Sequence, residues 1–68
     1  MQTNLHNVLK KLRKERGLTQ TEVADALNIS QKTYSHYENG TRKPDIEMLL
    51  DISNYFKVST DVLLGRYS

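Results

Sequence analysis

The sequence predicts a compact all-α domain of five helices, and three observations carry that prediction. Apolar residues recur throughout at the three- and four-residue spacing of one helix face, as in Leu5, Val8, Leu9 and Leu12. All three glycines, Gly17, Gly40 and Gly65, fall where such a stretch runs out. No alternating strand pattern, internal repeat or low-complexity tract competes with the helical reading.

The first helix is expected from about Asn4 to Arg16, with its cations on the faces away from the leucines, and Gly17 stops it by taking a left-handed conformation at no steric cost. Thr19 opens the second helix, and Glu22, three residues on, completes a capping box in which each side chain satisfies the other's backbone donor. Val23, Ala24 and Leu27 are its apolar positions, and Asn28, tolerant of a left-handed backbone, ends it in a tight turn. Ser30 caps a third helix that reaches about Asn39, with Tyr34 and Tyr37 on one face and Gly40 as its stop. The link Thr41-Arg42-Lys43-Pro44 is basic and stiffened by proline. A fourth helix starts near Asp45, whose carboxylate suits the positive end of the helix dipole. Ile46, Leu49, Leu50 and Phe56 are expected to mark its buried face, with Met48, Ile52 and Tyr55 widening the stripe. Ser59 caps a short fifth helix carrying Val62, Leu63 and Leu64, closed by Gly65.

Composition bounds what such a fold can rest on. At 68 residues the chain makes a single domain, residues 1–68, and folding at that length buries only roughly 60% of the unfolded surface. The absence of cysteine removes disulfides and thiolate metal sites. His6 and His36 stand apart with no second liganding pattern, so neither a metal nor a cofactor is expected and helix packing must supply the stability. The polar start Met1-Gln2-Thr3-Asn4 lacks the apolar core of a secretory leader. No apolar run approaches the roughly 20 residues that span a bilayer. A soluble, cytoplasmic protein with no membrane partner is expected.

The net charge of +2 conceals segregation. Lys10, Lys11, Arg13, Lys14 and Arg16 against Glu15 give residues 1–16 a charge of +4, and Arg42 with Lys43 gives residues 41–44 a charge of +2. Residues 17–40 (Lys32 against Glu22, Asp25 and Glu38) and 45–68 (Lys57 and Arg66 against Asp45, Glu47, Asp51 and Asp61) each carry −2. A polyanion would meet particular faces rather than the overall charge. On charge alone, ordinary solvated helix faces account for the pattern equally well.

The segment from Gln20 to Asn39 is the informative one. Two short helices are joined by about three residues around Asn28, and small Ala24 sits where the third helix must approach the second. That is the build of a helix-turn-helix, whose second helix is presented outward. From about residue 5 to 65 the chain resembles the Cro and phage-repressor-like helix-turn-helix family, often called the XRE family. The matching stretches are Leu18-Thr19-Gln20, Val23-Ala24-Asp25-Ala26-Leu27, Ile29-Ser30, Tyr37-Glu38-Asn39-Gly40 with Pro44 after it, and Val58-Ser59-Thr60-Asp61-Val62-Leu63-Leu64-Gly65. Two positions depart from the pattern: Asn28, where the family more often has glycine, and Tyr34, bulkier than the usual aliphatic residue. The resemblance implies a lambda-repressor-like DNA-binding fold.

It also implies roles for individual residues. Gln31, Lys32 and His36 on the exposed start of the third helix would reach base edges, with Ser30, Thr33 and Ser35 near bases or phosphates. The side chains suit that task, since a glutamine amide pairs bidentately with adenine and a lysine donates to the acceptors of guanine. A solvated face would also be polar, and His36 is equally well explained as an exposed residue near a helix end. If His36 meets a phosphate, its protonation strengthens the contact. Gln20 would hold a phosphate alongside the start of the second helix, where backbone amides and the dipole favour an anion. Asn39, Arg42 and Lys43 would follow the sugar-phosphate backbone, although Lys43 also fits a plain loop charge. Arg13 and Glu38 correspond to the inter-helix salt bridge of the phage repressors and are assigned to structure. Lys10, Lys11, Lys14 and Arg16 are expected to be solvated, with one or two of them near the phosphates, and Tyr34, Tyr37 and Tyr55 to pack in and around the core.

The leading expectation is therefore a sequence-specific double-stranded DNA-binding transcriptional regulator, a repressor that occludes a promoter. One such helix covers few base pairs, so a homodimer on a palindromic operator is expected. With no further C-terminal domain in the sequence, the dimer would form through the domain itself, with Val58, Leu64 and Tyr67 as candidates; a monomer that pairs on DNA fits as well. The alternative from a different class is a protein-binding module, such as an antitoxin or anti-regulator partner. An enzyme is not expected, because there is no nucleophile-base-acid set and no glycine-rich phosphate loop.

Overall fold

The computed structural model describes residues 4–64, and over them the chain forms α1 (Leu5–Glu15), α2 (Gln20–Leu27), α3 (Gln31–Asn39), α4 (Ile46–Phe56) and α5 (Thr60–Leu63), with no strand among the described residues. Gly65 and Tyr67, expected to close the last helix and to serve a dimer, lie outside the described residues, as do residues 1–3 and Arg66.

Each of the last four helices opens on a side-chain cap. Thr19 Oγ1 accepts from the Glu22 amide at 3.1 Å while Glu22 Oε1 accepts from the Thr19 amide at 2.9 Å, the reciprocal box expected from the sequence. Ser30 accepts from the Thr33 amide, Asp45 from the Met48 amide and Ser59 from the Val62 amide, at 3.1, 2.8 and 3.2 Å. Each cap removes one orphan donor and contributes about 1 kcal/mol. Asn4 precedes α1 without a side-chain cap.

Four helices end in the same way. Gly17, Asn28, Gly40 and Lys57 take left-handed backbones, with φ of 65°, 62°, 78° and 57°. The amide of the following residue then reaches back five positions: Leu18 to Arg13 O, Ile29 to Ala24 O, Thr41 to His36 O and Val58 to Ser53 O. This closing bond satisfies a carbonyl that the helix leaves open. Glycine suits the conformation and asparagine tolerates it, as read from the sequence at Gly17, Asn28 and Gly40. Lys57 is the unexpected member, held there by the Val58 bond and by the Ser53 hydroxyl, which donates to Val58 O.

Packing joins α1 to α3 and α5, α2 to α3 and α4, and α4 to α5. The shared core is Leu5 and Leu9 of α1, Val23, Ala24 and Leu27 of α2, Tyr34 and Tyr37 of α3, Ile52 and Phe56 of α4, and Leu63 of α5. Burying one large apolar side chain contributes about 1.5–3 kcal/mol. Tyr34 is wholly buried despite departing from the usual aliphatic residue, and its ring meets that of Tyr37 edge-on with centroids 6.5 Å apart. Arg16 is exposed as expected, but its guanidinium also sits 5.2 Å from the Phe56 ring centroid and covers that end of the core.

The buried face expected for α4 needs correction. Ile46 and Leu50 are 77% and 51% exposed, whereas Ile52 and Phe56 are fully buried and Met48, Leu49 and Tyr55 partly so. Apolar residues surround more of α4 than one face requires. The helix turns Ile52 and Phe56, one turn apart, toward α2 and α5, which leaves Ile46 and Leu50 on a different side.

Candidate nucleic-acid interface

The turn of residues 28–30 sets the geometry of the site. Asn28 reverses the chain, Ser30 starts α3 at once, and Ala24, with no exposed surface, lets α3 lie close against α2. α3 buries Tyr34, Tyr37 and Glu38. At 3.6 residues per turn the opposite side carries Lys32, Ser35, His36 and Asn39; Lys32 and Asn39 are exposed, and Ser35 and His36 half-buried. This side holds one cation, one imidazole, one hydroxyl and one amide, all able to donate a hydrogen bond.

The remaining sequence-selected residues border that face. Ser30 and Thr33 are bound to each other, the Ser30 hydroxyl lying 2.9 Å from Thr33 Oγ1, so both hydroxyls serve the helix start. Gln31 is exposed and donates through Nε2 to Gln20 Oε1 at 2.6 Å, tying the first residue of α3 to the first of α2. Asn39 donates to Ser35 Oγ at 3.5 Å, one turn back along the same face. Arg42 and Lys43 are exposed in the loop after Gly40. The Arg13–Glu38 pair is the one ion pair among the described residues, so Lys32, Arg42 and Lys43 have no carboxylate partner there. The described residues hold no cluster of His, Cys, Asp or Glu able to bind a metal, and none of their helices is long and apolar enough to cross a membrane.

Beneath the face lies a buried polar chain. Glu38 has no exposed side-chain surface and receives Arg13 in a forked contact, Nε to Oε2 at 2.7 Å and one terminal nitrogen to Oε1 at 3.1 Å. The other terminal nitrogen of Arg13 donates to Leu18 O at 2.9 Å. Gln20 Nε2 adds a bond to Glu38 Oε1 at 3.1 Å. Burial alone would raise the Glu38 pKa, but the bonds from Arg13 and Gln20, with the Arg13 charge and the nearby though unbonded Tyr34 hydroxyl, hold its carboxyl below the ordinary carboxylate value. Reciprocally, the bond to Glu38 raises Arg13 against the opposing effect of burial. Burial, reinforced by the Glu38 carboxylate, pushes the Tyr34 phenol up. That hydroxyl is the one fully enclosed side-chain oxygen among the described residues without a formed hydrogen bond.

Two features of the site escaped the sequence. Thr41 lies at the end of α3 with its hydroxyl 3.0 Å from His36 Nδ1 and 3.4 Å from His36 O, so it anchors the histidine expected to face outward. A threonine directly after the terminating glycine was the available signal. The second is the position of Gln20, which is half-buried and committed to both Glu38 and Gln31. The backbone amides of Gln20 and Thr21, in the open first turn of α2, remain for an anion.

A family model described as helix-turn-helix matches residues 9–63. The HTH-type transcriptional regulator ImmR of Bacillus subtilis (strain 168) is 48% identical over 58 residues, which cover 85% of this chain and 46% of ImmR. Among solved structures, a transcriptional regulator from Listeria innocua matches with a TM-score of 0.92 at 37% identity, covering 100% of this chain and 64% of the other. The DNA-binding domain of the P22 c2 repressor, determined in solution, matches with a TM-score of 0.84 at 26% identity, covering 100% and 92%. The chain spans about half the length of the curated relatives it matches.

Proposed function

The chain belongs to the helix-turn-helix family of transcription regulators, and from that membership we propose that it binds double-stranded DNA sequence-specifically and acts as a repressor, with α3 in the major groove. The observation that carries this reading is the outward side of α3, where Lys32, Ser35, His36 and Asn39 lie opposite Tyr34, Tyr37 and Glu38. Gln31 and Lys32, both exposed at the start of α3, read bases, with Ser30, Thr33, Ser35 and His36 beside them. The open amides of α2 at Gln20 hold a phosphate, and Asn39, Arg42 and Lys43 track the backbone. Arg13 and Glu38 hold the two helices together and take no direct part. The regulator works in the cytoplasm as a homodimer on a palindromic operator, because one recognition helix specifies too few base pairs alone.

Selection of bound sequences from a random duplex library at near-physiological salt tests the proposal. Enrichment of a palindrome with half-sites about 10 base pairs apart is expected, with the preferred bases shifting in Gln31→Ala or Lys32→Ala. Binding without enrichment refutes specific recognition. It would favour the second reading, a protein-binding module, for which the exposed apolar pair Ile46 and Leu50 on α4 is the supporting observation.

A further inference from the structure

The carbonyl oxygen of His36 is crowded. It accepts from the backbone amides of Gly40, Thr41 and Arg42, the last two at 3.1 and 3.3 Å, and a carbonyl has two lone pairs. The Thr41 hydroxyl lies 3.4 Å from that oxygen and 3.0 Å from His36 Nδ1. Bonds from a hydroxyl to oxygen rarely exceed about 3.0 Å, and the hydroxyl has one hydrogen to give. The acceptor still free is the imidazole nitrogen, so the hydroxyl donates and Nδ1 accepts. In the opposite arrangement the ring would give its hydrogen to Thr41, and the hydroxyl would be left to turn its own toward water.

A neutral imidazole carries one N–H. With Nδ1 accepting, that hydrogen sits on Nε2, at the far end of the ring, which makes no hydrogen bond among the described residues. His36 is half-buried on the outward side of α3, so the ring presents a donor to whatever that side meets. We infer, on the reading of α3 as the helix in the groove, that Thr41 is a positioning residue for recognition: it holds His36 with its N–H outward and thereby sets a preference for guanine at the base pair that His36 meets. Guanine offers two acceptors, N7 and O6, and no donor. Adenine and thymine each set one acceptor beside an amino or methyl group, and cytosine shows a donor.

Two measurements on the full chain test this. Nitrogen NMR spectra without DNA read which ring nitrogen of His36 holds the proton in the neutral imidazole, and Nε2 is expected. Affinities are then compared for duplexes that differ only at one base pair, the one where His36→Ala abolishes discrimination. The wild type should favour guanine there by about two- to tenfold, the range of one hydrogen bond. Thr41→Val keeps the branched shape and the backbone amide but removes the hydroxyl. Its His36 should show both tautomers and its guanine preference should fall toward parity, with little change in melting temperature because Thr41 is exposed. Thr41→Ser returns the hydroxyl and should restore both readouts.

A wild-type ring with its proton on Nδ1 overturns the role of Thr41 while leaving the reading of α3 intact. So does a full guanine preference in Thr41→Val, or a preference that Thr41→Ser fails to restore, because the hydroxyl then does not set the ring. A His36→Ala variant that weakens binding to all duplexes alike puts a phosphate against the imidazole and overturns the guanine preference, again without touching α3. A wild type that discriminates at no base pair overturns the reading of α3, whichever tautomer the spectra show, and the guanine preference with it.

Discussion

Replacing Arg13 by leucine should remove much of the stability of this domain and invert its response to acid. Arg13 supplies two bonds to Glu38, at 2.7 and 3.1 Å, and one to Leu18 O at 2.9 Å. Without it the Glu38 carboxylate, which has no exposed side-chain surface, keeps the single Gln20 bond at 3.1 Å. Removing one partner of a buried pair costs about 3–5 kcal/mol, because the other charge is left unpaired. A domain of 68 residues has about 3–10 kcal/mol in total at 0.05–0.15 kcal/mol per residue, so the loss is a large share of it. At about 4–8 °C per kcal/mol the melting temperature falls by roughly 12–40 °C.

The pH dependence separates this account from a simple loss of packing. In the wild type the folded pKa of Glu38 is depressed, so its contribution is complete above the ordinary carboxylate range and is lost as the pH falls below it. In Arg13→Leu burial dominates, the folded pKa rises above the unfolded one, and protonation relieves the variant. The stability gap should therefore narrow between pH 7 and about pH 4. Urea unfolding followed by circular dichroism at both pH values measures it. A loss below about 1 kcal/mol, the range of an exposed pair, or a gap equal at both pH values would refute the reasoning.

Other expectations follow from single positions. Lys57→Gly relieves a left-handed lysine at φ 57°; the strain of about 1–2 kcal/mol, partly offset by the freer unfolded chain, predicts a melting temperature higher by a few degrees, and a decrease would contradict it. Leu50→Lys, at a position 51% exposed, should change stability by less than about 0.5 kcal/mol, whereas Ile52→Ala in the core should cost about 2–5 kcal/mol; thermal unfolding of the two variants side by side decides. Arg42→Ala or Lys43→Ala should weaken binding to all duplexes alike and flatten the salt dependence by about one charge, so an unchanged slope would exclude a phosphate contact at that residue.

Much of this protein was legible because its signals act within a few residues. The caps at Thr19, Ser30, Asp45 and Ser59 and the left-handed closures at Gly17, Asn28 and Gly40 are local chemistry, and the helix boundaries follow from them. The polar side of α3 was legible too, since Lys32, Ser35, His36 and Asn39 keep helical spacing against two tyrosines. The Arg13–Glu38 pair, 25 residues apart, was legible only through resemblance to the phage repressors, because nothing in local spacing joins those residues. Tertiary structure alone decided the rest. α4 carries apolar residues on more than one face, and the placement of α2 and α5 selected Ile52 and Phe56 for burial and left Ile46 and Leu50 outside. Lys57 is left-handed because the chain must turn there between two packed helices, whatever residue occupies the position. The bonds that run from Glu38 through Gln20 to Gln31 likewise join side chains of α2 and α3 that local spacing does not bring together. Helix ends depend on contacts within one turn of the chain, whereas the burial of a face and the direction of a hydrogen bond depend on groups that only folding brings together.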